Sequence, residues 1–287
     1  MNPQSTIHHP KYRGRLAPSP TGFLHLGHAR TFWVAQGRAK QNHGELIFRN
    51  DDLDRDRCKP GFVAAMFEDL KWFGFEWSEG PDLGGPFAPY SQSERINFYR
   101  AALEKLRAGN FIYPCHCSRK DIHAALTAPH AADDEAIYPG ICRENRKSEI
   151  GGRKCSWRFR VPDGETVSFL DENLGEQNFV AGKDFGDFVV WRHDGVPAYQ
   201  LASVADDAAM RITEVVRGAD LLVSTARQIL LFRALGLTPP KFFHCELMRD
   251  ERGARLAKRH DALSLRTLRQ QGILPADLRF QWSGAVH

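Results

Sequence analysis

KYRGRLAPSPTGFLHLGHARTFWVAQGRAKQNHGELIFR, residues 11–49, changes pattern three times in one run. Tyr12–Ala17 reads as a short strand that ends in the loop PSPTGFLHLG. Two prolines bracket Ser19 there, and Gly22 and Gly27 permit close or unusual backbone paths. From Gly27 the spacing becomes helical, with Ala29, Phe32, Trp33 and Gln36 on one side and a stop near Asn42-His43-Gly44. ELIFR is the next strand, and a helix starting at Pro60 puts Phe62, Met66, Leu70 and Phe73 on one face. Strand, loop, helix, strand, helix is the rhythm of a parallel α/β domain.

Further along, Ser91 to Ala108 predicts a helix with Ile96, Tyr99, Leu103 and Leu106 inward. After Asn110 the order loosens into a Cys-containing section, followed by the sheet-like CSWRFRVP and ETVSFL. DFVVWRHDG and PAYQLASVADDAAM read as strand, turn and helix. RITEVVRGADLL is a strand with a polar end, and Ser224 or Thr225 is placed to cap the helix ARQILLFRALG. KFFHCELMR gives another strand before a short, basic, helical end, and no internal repeat is visible. The expected organisation is a mobile lead over 1–10 and a first half of the α/β domain over 11–109. An insertion over 110–180, a second half over 181–248 and a loop with a helical appendix over 249–287 complete it.

Composition narrows the classes. A chain of 287 residues has room for about two domains and a buried core. With 42% hydrophobic residues and 24 Gly, disorder as the main state is excluded. No stretch approaches the roughly 18 apolar residues of a membrane span, and the start lacks a secretory signal, so the expected compartment is the cytoplasm with no membrane partner. The net charge of +4 is too weak to name a partner. Its make-up of 28 Arg against 11 Lys favours groups suited to carboxylates and phosphates. Six Cys over this length do not form a small secreted disulfide scaffold.

In open parallel sheets, ligands sit beyond the C-terminal strand ends. His25 and His28 lie across the start of the first helix there, where free N–H groups favour phosphate and imidazoles donate to its oxygens. Gly27 would let a nucleotide approach the backbone. No convincing third ligand adjoins the two His, which weighs against a metal. Late in the chain, ERGARLAKRH (residues 251–260) offers Arg252, Arg255, Lys258, Arg259 and His260 as a basic loop able to meet a polyphosphate. PCHCSRKDI and IYPGIC bring Cys115, Cys117 and Cys142 within 28 residues, soft donors for zinc. A tetrahedral site needs a fourth; Tyr138, His116, His123, His130 and Cys155 are candidates, and composition alone favours His or Cys.

HLGH and RLAKR stand where class I aminoacyl-tRNA synthetases carry HIGH and KMSKS. GRLAPSPTGFLHLGHAR, RNDDLDR, PAYQLASVADD and VVRGADLLVSTARQ resemble the glutamyl-tRNA synthetase catalytic domain, sampling residues 14 to 260. Full-length glutamyl-tRNA synthetases continue into an anticodon-binding region, whereas 27 residues follow His260. The expectation is therefore the truncated glutamyl-queuosine tRNA(Asp) synthetase family. The resemblance implies a class I Rossmann-like parallel sheet, a zinc-bearing insertion and a short helical C-terminal appendix. It also implies ATP, L-glutamate and queuosine-containing tRNA(Asp) as partners, with Mg²⁺ accompanying ATP; a monomer is expected.

The resemblance assigns Arg15, Ala17, Ser19, Asp51, Tyr199 and Arg217 to glutamate. It assigns His25, Gly27, His28 and Lys258 to ATP, with His25, His28 and Lys258 catalytic. Their chemistry suits those roles: two Arg forks for carboxylates, an acid for the ammonium, small residues that leave room. The family's C-x-C followed by Y-x-x-x-C implies Cys115, Cys117, Tyr138 and Cys142 as ligands of one structural Zn²⁺. Departures are Asp51 for the family's Glu, Asn50 for an apolar residue, and Arg255 and Ala257 within the late motif. Altered kinetics are expected from them. The competing readings are a conventional 3′-end glutamyl-tRNA synthetase fragment and a non-catalytic RNA-binding relative.

Overall fold

A computed structural model of the chain describes residues 11–118, 120–122, 137–144, 154–248 and 264–282. In chain order its elements are β1 (Arg13–Leu16), α1 (Leu26–Gln41), β2 (Glu45–Phe48), α2 (Pro60–Phe73), α3 (Ile96–Ala108) and β3 (Ile112–Cys115). Then come β4 (Ser156–Phe159), β5 (Thr166–Asp171), β6 (Gly175–Val180), β7 (Phe188–Trp191) and α4 (Tyr199–Ala209). β8 (Glu214–Gly218), α5 (Leu222–Ala234), β9 (Lys241–Cys245), α6 (Leu265–Gln270) and α7 (Pro275–Gln281) complete the series. Two compact units form: one from the described parts of Met1–Tyr90, Arg211–Arg217 and Pro240–His287, the other from those of Ser91–Met210 and Gly218–Pro239.

In the first unit β1 and β2 run parallel, with Arg13 opposite Glu45 and Leu16 opposite Phe48, and α1 makes the crossover. The main chain of Thr213, at the foot of β8, donates to the Arg13 carbonyl, and β8 pairs with β9. The strands and helices share a core of Leu16, Leu46, Phe48, Val34, Met66, Leu70, Phe73 and Trp282. Pro60 opens α2 at its first helical position, and Gly74 ends it at φ 88°, a conformation that favours glycine. Gln36 ties α1 to that end, donating to the Gly74 carbonyl and accepting from Glu76 N–H. The expected inward face of α2 holds for Met66, Leu70 and Phe73. Phe62 is only half-buried, edge-on to Phe23, and Asp69 lies fully buried on that face.

In the second unit β3, β4 and β7 form an antiparallel sheet, and β5 and β6 form a hairpin turned at Gly175 (φ 74°). Sequence spacing did not mark β6, because GEQNFV lacks an apolar alternation. The helix expected from Ser91 begins at Ile96, after a 3₁₀ turn over Gln92–Glu94. The turn brings Gln92 and Arg95 onto buried Asp206, which also accepts from Tyr99. Neither Ser224 nor Thr225 caps α5: Leu221 holds that position and both lie inside the helix. Thr225 Oγ1 donates back to the Leu221 carbonyl, and Ser224 Oγ accepts from Gln200. No described helix is long and apolar enough to cross a membrane.

Candidate active site

The HLGH turn is built by its own histidines. His25 is the N-cap of α1, and its Nδ1 accepts from Gly27 N–H at 3.2 Å. His28 Nδ1 accepts from His25 N–H at 3.3 Å, closing a capping box made from two imidazoles whose centroids lie 3.7 Å apart. With Nδ1 accepting in each neutral ring, the proton resides on Nε2, a donor. No acidic residue occupies the first turn of α1, so the positive end of the helix dipole is not offset locally. Gly27 and Gly22 do not adopt positive φ. Gly27 is small for a different reason: a Cβ there would come within 3.1 Å of the His25 ring.

Lys258, with Arg255 and Ala257, lies outside the described residues. The described segments on either side of residues 249–263 are fixed to the HLGH region. Leu265 N–H donates to the Leu24 carbonyl at 2.8 Å, and Ser264 bridges His25. On the other side Arg30 Nη1, on α1, donates to the Glu246 carbonyl at 3.2 Å.

The strand exits carry the charged cluster. Arg15, buried at the end of β1, donates from Nη1 to the Val216 carbonyl at 3.0 Å. Its anchor is therefore the residue before Arg217. Arg217 is buried on β8, and its Nε donates to His244 Nε2 at 3.2 Å. Asp51 follows β2, and its N–H donates to the Pro18 carbonyl at 3.1 Å. Its carboxylate accepts from Arg49 Nε at 2.7 Å and Nη2 at 3.3 Å, both partners buried. Ala17 is half-buried and Ser19 exposed beside them in sequence. Arg15, Ala17, Ser19, His25, Gly27, His28, Asp51 and Arg217 thus belong to one unit. Tyr199 belongs to the other, exposed at the start of α4.

Arg49 and His244 were not among the expected site residues. Arg49 had a usable signal, its place two residues before Asp51 in the RNDDLDR motif. His244 had none, because its contact crosses between strands.

Also in the second unit, Cys115 at the end of β3 meets Cys117 and Cys142, with the three sulfurs within 4.8 Å of one another. All three are free thiols. The Tyr138 hydroxyl stands 3.4 Å from both Cys115 and Cys117 Sγ and accepts from Cys142 N–H at 2.9 Å. Among the described residues no His, Cys or acid joins the three thiols, which leaves Tyr138 as the fourth donor present. His123 and His130 lie outside the described residues. Burial pushes the Cys117 thiol up to about 11. Burial also raises Cys142, but hydrogen bonds from the His116 backbone, Tyr138 and the neighbouring thiols outweigh it and hold that thiol below its usual value. Three soft donors and one oxygen converging in this way fit a small divalent metal.

Residues 11–280 match the family described as tRNA synthetases class I (E and Q), catalytic domain, and the chain belongs to that family, with its Rossmann-like catalytic fold and C-terminal helices. Its place within the family is with the glutamyl-Q tRNA(Asp) synthetases. It is 49% identical over 268 residues to Glutamyl-Q tRNA(Asp) synthetase of Symbiobacterium thermophilum, covering 91% of this chain and 82% of that one. With the protein of the same name from Nitratidesulfovibrio vulgaris it shares 46% over 271 residues, covering 93% and 83%. Glutamate--tRNA ligase 2 of Nitrosococcus oceani is 41% identical over 269 residues, 92% of this chain but 57% of the ligase. The crystal structure of a glutamate tRNA ligase from Elizabethkingia meningosepticum, in complex with its amino acid, superposes with a TM-score of 0.77. Identity there is 32%, over 87% of this chain and 52% of that one.

Proposed function

We propose that the protein activates L-glutamate with ATP and transfers it to queuosine at the wobble position of tRNA(Asp). The observation that carries this reading is the pair of buried Arg forks tied together at the ends of β1 and β8. Arg15 is anchored on the carbonyl next to Arg217, in the same unit as Asp51 and the HLGH cap. A dicarboxylic amino acid needs two cationic sites and one anionic one, and Arg15, Arg217 and Asp51 supply groups of those charges.

In the proposed reaction an α-carboxylate oxygen of glutamate attacks the α-phosphorus of ATP. Pyrophosphate leaves and glutamyl-adenylate forms. A hydroxyl of the queuosine cyclopentene ring then attacks the activated carbonyl, AMP departs, and an ester results. Arg15 and Arg217 hold the substrate's carboxylates, while Ala17 and Ser19 leave room and add polar contacts. Asp51 faces the ammonium, its carboxylate oriented by Arg49. Nε2–H of His25 and of His28 donate to phosphate oxygens, and Lys258 adds charge where the leaving group develops it. Gly27 admits the His25 ring that sets this geometry. Mg²⁺ accompanying ATP supplies further neutralisation of the phosphates.

Cys115, Cys117, Tyr138 and Cys142 are the proposed holders of a structural Zn²⁺, which would cross-link β3 to the 137–142 segment and favour ionised sulfurs. With three thiols and a phenol as donors, they leave little case for water activation.

Glutamate-dependent exchange of pyrophosphate into ATP tests the activation step. The expected result is exchange with L-glutamate, and an Arg217→Lys protein whose glutamate KM rises about 10- to 100-fold with little change for ATP, as loss of a charge-assisted fork predicts. No exchange with any amino acid, alongside tight RNA binding, supports the non-catalytic reading instead.

A further inference from the structure

Three thiolates around a divalent metal leave an excess negative charge inside the protein, and a buried charge needs a partner. Arg158 stands where such a partner is needed. It lies on β4, in register with Tyr113 of β3, and is 9% exposed. Its Nε donates to Cys115 Sγ at 3.3 Å. Its guanidinium carbon lies 3.9 Å from the centroid of the Tyr138 ring. Its Nη1 donates to the Asp187 carbonyl at 2.9 Å, which fixes the fork at a third point. One side chain therefore touches two of the four donors.

The support continues outward. The Asp187 carboxylate accepts from Tyr113 Oη at 2.5 Å, Val161 N–H at 2.8 Å and Arg143 Nη1 at 3.2 Å. Arg143 directly follows Cys142, and Tyr113 lies two residues before Cys115. Each strand or loop that brings a donor is thereby tied to Asp187, whose carbonyl anchors Arg158.

We propose that Arg158 is a positioning residue of the metal site, compensating its thiolate charge through an N–H···S bond to Cys115 and bracing the Tyr138 ring with its planar face. Metal retention then depends on Arg158. A lysine would keep the charge but lose the planar face and the fixed donor geometry. This inference rests on reading Cys115, Cys117, Tyr138 and Cys142 as a zinc site.

The test compares wild type with Arg158→Lys, Arg158→Gln and Arg158→Met in the whole chain. Zinc-loaded protein is mixed with a chromogenic chelator to follow metal release, and thermal unfolding is recorded for zinc-loaded and metal-stripped forms. Arg158→Met is expected to release zinc about 10- to 100-fold faster, the range for loss of an outer hydrogen-bonding partner, with Arg158→Lys in between. Its Tm deficit is expected to be larger with zinc than without. Should Arg158→Met fail to fold, Arg158→Gln and Arg158→Lys carry the same comparison. Unchanged release, or a Tm deficit equal in both forms, overturns the proposal and leaves Arg158 a packing residue. If wild type holds no stoichiometric zinc and cobalt gives no thiolate charge-transfer band, the metal site itself falls, and the role of Arg158 with it.

Discussion

His25 holds two tasks on opposite sides of one ring. Nδ1 caps α1 and Nε2–H is the proposed phosphate donor. The two can be separated. His25→Ala loses both, with a stability cost of about 1 kcal/mol from the cap. His25→Asn supplies a cap oxygen but no donor at the imidazole's far side. Its Tm is expected near wild type, while glutamate-dependent exchange stays down by about 10²- to 10³-fold, the range for removal of one transition-state donor. Recovery of activity together with stability would show that capping is the whole role. Arg15, Asp51 and Arg217 could be nominated by residue type alone, as forks for carboxylates and an acid for an ammonium. What spacing could not give was the Val216 carbonyl and His244, which reach Arg15 and Arg217 from other strands.

Among the elements, the seam between α2 and α6 holds an unusual group. Asp69 is fully buried on α2, with Arg269 Nη1 of α6 as far away as 4.0 Å. Burial pushes its carboxyl up to about 6, against the opposing pull of Arg269 and Arg266 and with a small addition from Glu68. The folded group therefore keeps its proton between about 4 and about 6, where the unfolded carboxyl, at 3.8, has lost it. Folded protein binds more protons in that window, so this group's contribution to stability is present at its acid end and is lost as pH rises through about 6. Asp69→Asn is expected to gain on wild type from pH 4 to pH 7, by up to about 3 kcal/mol. Urea unfolding at several pH values reads it; a constant difference would contradict the assignment. Most elements were legible, since α1 and α2 show clear apolar faces and proper ends. The misses have local causes. Ser224 and Thr225 have capping chemistry, but the 3₁₀ turn at Ala219–Leu221 starts the helix before them. Asp69 sits at an apolar position, which a hydrophobic count passes over.

At the scale of the whole chain, the units are discontinuous in sequence. The first is left after Tyr90, re-entered over Arg211–Arg217 and entered again from Pro240. Such interleaving cannot be read from composition, because no linker or charge run marks the crossings. The motif order did survive it: HLGH near the start and Ser264–Leu265 near the end are joined by backbone hydrogen bonds. The Cys cluster was legible as a set of thiols; for its fourth member composition alone favoured His or Cys, while the family resemblance implied Tyr138, whose hydroxyl stands 3.4 Å from Cys115 and Cys117 Sγ. Family membership leaves one chemical question above the others, namely which atom of which RNA receives the glutamate. The direct measurement incubates the protein with ATP, labelled glutamate and separate pools of queuosine-containing tRNA(Asp), queuosine-lacking tRNA(Asp) and tRNA(Glu), then locates the label by nuclease digestion. Label on the modified wobble nucleoside of the first pool, and on neither of the others, is the predicted result; label on the 3′ adenosine of tRNA(Glu) would contradict it.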